Sequence, residues 1–120
     1  MNYTILIYET PADFTQRNDP DAKKREAYWA EWPIYTKALQ DAGVMRGGAG
    51  LQPPDTATLL KFKDGKQQVQ DGPYADTKEQ LGGFYIIDVP DLDAALGWAA
   101  RCPRRPGRMY EVRPNLVTPG

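Results

Sequence analysis

The sequence predicts one α+β domain with elements in the order β-α-β-(ββ)-β-α-β. Three observations carry this. Residues 3–8 and 82–89 are rich in β-branched, aromatic and aliphatic side chains on both alternating faces. Two stretches repeat apolar residues at helical spacing. The Asp64-Gly65 pair stands between two short strand-like runs, a strong hairpin signal. The chain has 120 residues, one domain's length, with no internal repeat, linker or low-complexity tract, so residues 1–120 read as a single domain.

Each element has a local reason. In residues 3–8, Tyr3, Ile5 and Ile7 point one way and Thr4, Leu6 and Tyr8 the other. Residues 9–19 are polar and read as a loop. Asp19 then caps a helix with Pro20 in its first turn. Tyr28, Trp32, Tyr35 and Leu39 form its apolar face, and Gly43 stands at its C-terminal cap. Pro33 removes the hydrogen bond to the Trp29 carbonyl, which predicts a kink near residues 29–33 or two shorter helices. Residues 44–50 read as a glycine-weakened strand ended by Pro53-Pro54, and residues 56–63 and 67–71 as the hairpin. Residues 72–80 are a loop or a short helical turn, followed by the strand 82–89. Pro90-Asp91 opens a second helix with Leu92, Ala95, Leu96 and Ala99 on its buried side; residues 109–113 form the last strand. Without the inserted hairpin the order is the ferredoxin-like βαββαβ pattern. Two helices cover only one face of such a sheet. Two strands apolar on both faces therefore call for a partner, and the economical one is a second copy of the chain.

Composition narrows the function. Hydrophobic residues make up 41% of the chain, which argues against disorder. Fifteen basic against sixteen acidic residues give a net charge of −1, which speaks against nucleic acid or an anionic membrane as partner. No apolar run approaches the ~20 residues of a membrane span. The start, Met1-Asn2-Tyr3-Thr4, shows no signal-peptide pattern, and a single cysteine precludes an intrachain disulfide; both point to the cytoplasm. There is no histidine. That removes Ser-His and Cys-His nucleophile pairs and histidine metal ligands, so neither a metal nor another cofactor is expected. Acid–base chemistry falls to Asp, Glu, Lys, Tyr or Cys102.

The most distinctive stretch runs from Asp71 to Phe84. Asp71-Gly72-Pro73 is turn chemistry, which makes a structural loop the plain reading. Yet it gathers Asp71, Tyr74, Asp76, Lys78 and Glu79 beside the Gly82-Gly83 pair, as binding loops at strand ends do. The tetrad Asp71-Gly72-Pro73-Tyr74, with Tyr in place of Phe, resembles the Asp-Gly-Pro-Phe branch of the YCII-related proteins. The resemblance extends through Thr77–Tyr85, Val89–Leu96, Trp98–Pro103 and Glu111–Pro114, and upstream through Leu6–Tyr8, Leu39–Val44 and Gly50–Pro54. It implies a ferredoxin-like protomer that pairs face to face into a dimeric α+β barrel. It also implies an association with sigma-factor-linked stress responses. The histidine–aspartate pair proposed as catalytic in relatives has no counterpart here, which leaves Asp71 as the tetrad's one acid or base. Pro33 and the segment Arg104–Met109 depart from the family pattern.

Other features carry two readings each. Tyr28, Trp29, Trp32 and Tyr35 are core packing or, alternatively, the wall of a pocket that Tyr8 also faces. Gly47-Gly48-Ala49-Gly50 lacks the context of a phosphate-binding loop. Arg101, Arg104, Arg105 and Arg108 read as a solvated loop, with an anion site as the minor alternative, and Cys102 reads as a packed thiol. Three functions follow. In an acid–base enzyme, Asp71 is the base, Lys78 stabilises a developing anion, Glu79 or a tyrosine relays the proton, and Tyr8, Tyr28, Trp29, Trp32 and Tyr74 bind the ligand. The alternatives are a non-catalytic ligand-binding protein and a dimeric interaction module of the stress response.

Overall fold

The computed structural model describes residues 1–117. Its elements are β1 (Asn2–Glu9), α1 (Pro11–Arg17), α2 (Ala22–Trp29), α3 (Trp32–Asp41), β2 (Met45–Gly50), β3 (Thr58–Lys63), β4 (Lys66–Asp71), β5 (Gln80–Asp88), α4 (Leu92–Ala100) and β6 (Met109–Pro114). A single 3₁₀ turn at Pro54–Thr56 precedes β3. The main sheet is antiparallel in the order β2-β5-β1-β6, which is the ferredoxin-like arrangement. It is an open sheet, not closed into a barrel within one chain. The hairpin β3-β4 forms a separate two-stranded sheet. Asp64 and Gly65 both have positive φ at its tip, the backbone that a tight two-residue hairpin turn requires.

Strand alternation builds the core. Tyr3, Ile5 and Ile7 of β1 and Ile87 of β5 are buried against Tyr35, Leu39, Ala95, Ala99 and Cys102. The other face carries Leu6, Tyr8, Phe84 and Ile86, all half-exposed.

The break at Pro33 is present: α2 ends at Trp29 and α3 begins at Trp32, with Pro33 in its first turn. Four expectations are corrected. Residues 9–19 hold a helix: Thr10 and Asp13 cap α1 reciprocally, and two polar residues gave no apolar period to read. The cap of α2 is Asp21, whose side chain accepts from the Lys23 amide, while Asp19 instead receives the Asp21 amide in the turn before it. Helix α4 packs through its small residues Ala95 and Ala99, which leaves Leu92 and Leu96 exposed on its flank. Arg105 and Arg108 do not belong to a solvated loop: Arg105 is half-buried and pairs with Asp13, and the Arg108 side chain is fully buried.

Candidate functional site

A cavity of about 250 Å³ lies between the helices and the end of the sheet. Ile7 and Glu9 of β1, Arg17 of α1, Thr36 of α3 and Phe84 and Tyr85 of β5 line it, together with the backbone of Gly48–Gly50. Trp29 and Trp32 enter from the two sides of the helix break.

Local structure places each polar group. Alternation along β1 turns Glu9 to the same side as Ile5 and Ile7. The pairing of β1 with β5 shifts between Ile7 and Tyr8, at the glycine pair. A Cβ on Gly82 would lie 2.8 Å from Cδ of Glu9, so the missing side chain makes room for this carboxylate. On α1, Asp13 and Arg17 are four residues apart and share the buried face.

These groups form one buried ionic cluster. Arg17 approaches Glu9 at 3.8 Å, and Arg108 approaches Glu9 and Asp13 at 3.9 Å each. Arg105 pairs closely with Asp13 at 2.8 Å and donates to Gln16. The Tyr28 hydroxyl donates to Glu9 Oε1 at 2.6 Å and accepts from Arg108 at 3.3 Å. Burial, reinforced by the Glu9 carboxylate, holds the Tyr28 phenol well above its ordinary pKa, so it stays a neutral donor. Burial likewise pushes the Cys102 thiol up to about 11, which makes it a packed, unreactive group. The guanidinium of Arg17 lies 5.2 Å from the Phe14 and Trp29 ring centres, and that of Arg108 lies 5.1 Å from Trp32. Among the described residues, four buried polar atoms make no hydrogen bond: Glu9 Oε2, Arg17 Nη1, Arg108 Nε and Trp32 Nε1. Three of the four belong to residues that line the cavity.

The expected site residues are dispersed. Trp29 and Trp32 stand in the cavity wall, and Tyr28 lies behind it on Glu9. Tyr8 points to the opposite face of the sheet. Asp71, Tyr74 and Lys78 are exposed, and Glu79 is half-buried. None of the four lines this cavity; Lys78 borders a separate surface cleft with Asp76 and Thr77. After Asp71 the chain is fastened by the Gly72 amide donating to the Ala57 carbonyl at 2.8 Å. Glu9, Asp13 and Arg17 carry no site reading in the sequence, and Arg105 and Arg108 carry one only as the minor anion-site alternative. Two signals pointed to part of it: the Thr10-x-x-Asp13 capping pattern and the Gly82-Gly83 pair.

A ferredoxin-like α+β domain with an ion-pair-lined pocket between sheet and helices is the class that fold and site define. Residues 1–116 match the YCII-related domain, and the chain belongs to that family. It is also similar to an uncharacterised protein of Rhizobium meliloti (strain 1021), 45% identical over 123 residues, which takes in 100% of this chain and 97% of the relative.

Proposed function

We propose that this chain is a cytoplasmic homodimer that binds a small organic molecule in the cavity between sheet and helices. The observation that carries the reading is the presence of Glu9, Arg17 and Trp32 in the lining of one apolar-walled cavity, each with a buried polar atom that makes no hydrogen bond, although Glu9 Oε2 and Arg17 Nη1 face each other at 3.8 Å. Such atoms are costly to leave unmade, at about 1–3 kcal/mol each, and a bound molecule supplies what they lack. Pockets of this kind, apolar with a few convergent polar groups, are the usual form of small-molecule sites.

A second reading, acid–base catalysis, is favoured by Glu9 in particular. Tyr28 fixes Oε1, while Oε2 makes no hydrogen bond and has only the 3.8 Å approach of Arg17 Nη1. In this reading Glu9 is the base, Arg17 stabilises the anion that forms, and Tyr28 is a positioning residue. An acid–base role for Asp71, Lys78 and Glu79 would rest on the separate cleft, which Lys78 alone of the three borders. The tetrad Asp71-Gly72-Pro73-Tyr74 supports placement in the Asp-Gly-Pro-Phe branch of the family.

Dimerisation is supported by the half-exposed apolar sheet face and by the hairpin, where Leu60, Phe62 and Val69 are exposed. Leu60 is directly opposite Val69 and shares its face with Phe62, so the three make one apolar surface.

A fragment library of mixed charge, screened by thermal shift and tryptophan fluorescence, tests the binding reading. Hits that change the emission of the wild-type protein but not that of the Trp29→Phe, Trp32→Phe double variant are expected. A library without any such hit contradicts the reading.

A further inference from the structure

The buried cluster is unbalanced in charge. Within ion-pair reach of one another stand two carboxylates, Glu9 and Asp13, and three guanidiniums, Arg17, Arg105 and Arg108. Arg105 is matched by Asp13 at 2.8 Å. Arg17 and Arg108 share Glu9, at 3.8 and 3.9 Å, and neither approach is a hydrogen bond. Neighbouring phenol and thiol groups do not repair the deficit, because burial keeps Tyr28 and Cys102 protonated. Arg105 is half-buried and partly screened by water, so the buried shortfall falls on Arg17 and Arg108, which have only Glu9 and a distant Asp13 between them where an ill-matched ion is expensive.

Arg17 and Arg108 differ in what they face. Arg108 donates to the Pro103 carbonyl and the Tyr28 hydroxyl and does not line the cavity. Arg17 lines it. Its Nη2 is held by the Leu51 carbonyl, while Nη1 has no acceptor. Turning Nη1 toward a ligand breaks no hydrogen bond and gives up only the 3.8 Å approach to Glu9 Oε2. Trp32, which also lines the cavity, carries a second donor without an acceptor, its buried Nε1. The Trp29 and Trp32 rings give the cavity flat apolar walls. At about 250 Å³ it lies below the range of drug-sized sites, which limits the occupant to a compact molecule.

We propose that the occupant is a compact, flat organic anion, its oxyanion held by Arg17 and its body lying against Trp29 and Trp32. This rests on the small-molecule reading and names the class of ligand. An arginine presents donors in a fork that matches a carboxylate, and the charge-assisted bond forms in a site already shielded from water.

The test uses matched acids and amides, benzoate with benzamide and nicotinate with nicotinamide, titrated against the full chain by tryptophan fluorescence. The wild-type protein is expected to bind each acid at least ~10-fold more tightly than its amide. Arg17→Gln is expected to abolish that preference. Should Arg17→Gln fail to fold, Glu9→Gln serves: it frees a further guanidinium, so benzoate binds more tightly than to wild type. Amides binding as well as acids to the wild type overturn the inference and leave the cavity reading standing. Benzoate binding that Glu9→Gln leaves unchanged or weakens also overturns it, as does an acid preference that survives Arg17→Gln. Binding of neither acids nor amides overturns the inference and the cavity reading together.

Discussion

Glu9 sits at the centre of the cluster, touched by Tyr28, Arg17 and Arg108. Glu9→Gln keeps the shape and the acceptor for Tyr28 but removes the charge that two guanidiniums share. Breaking one side of a buried ion pair is costly, so a loss of about 3 kcal/mol in urea unfolding is expected. Asp71 lies at the other extreme. Its carboxylate is exposed and makes no hydrogen bond among the described residues. Asp71→Asn is expected to change stability by less than about 0.5 kcal/mol in the same measurement. Cys102 gives a pH signature. Its pKa of about 11 in the folded chain stands above the ordinary thiol value of 9.0, because burial disfavours the thiolate. Between these values the unfolded chain has lost a proton that the folded chain keeps. Stability is therefore complete below pH 9 and falls as pH rises toward 11. The expected loss is about 3 kcal/mol once both values are passed, and Cys102→Ala should flatten the pH 9–10 part of the curve. Cys102 is legible as a packed thiol because the chain has no histidine to activate it. The Glu9 cluster was not. Its members span residues 9 to 108, and no sequence spacing brings Arg108 to Glu9; only sheet pairing and the packing of the segment after α4 do.

At the level of elements, the break between α2 and α3 shapes the cavity by setting Trp29 and Trp32 on either side of it. Ala30 and Glu31 keep helical dihedrals, so the interruption rests on the missing amide of Pro33. Pro33→Ala is expected to join α2 and α3 into one helix. Hydrogen exchange should then show a protected amide at residue 33, and the tryptophan emission should shift as the rings are re-aimed. Unprotected exchange at that position would show that the break has another cause. Pro33 announced itself in the sequence because one missing donor acts locally. Helix α1 did not. Its seven residues hold no apolar repeat, and it is fixed by the Thr10–Asp13 cap and by ion pairs to distant residues. The hairpin was read from Asp64-Gly65 alone, since turn backbone is a property of the two residues that make it.

The whole molecule is broad and thin. It measures 48 × 46 × 21 Å, with a radius of gyration of 16.4 Å. A compact domain of this length has a radius near 14 Å. The excess fits a protomer whose hairpin and open sheet face are shaped to be covered. Sedimentation at micromolar concentration is expected to show a dimer, and Leu60→Lys with Phe62→Lys to shift it to a folded monomer. The split β-α-β order and the two-sided strands were legible from alternation alone, because each strand reports its own faces. Which loops line the cavity was not, because that depends on where the sheet places its strand ends. Crystals soaked with a fragment library test whether the cavity beside Glu9, Arg17 and Trp32 is the binding site. Fragment density is expected inside that cavity, within hydrogen-bond reach of Arg17. Fragments found only in the cleft beside Lys78, or along the hairpin, with the cavity empty throughout, would contradict it.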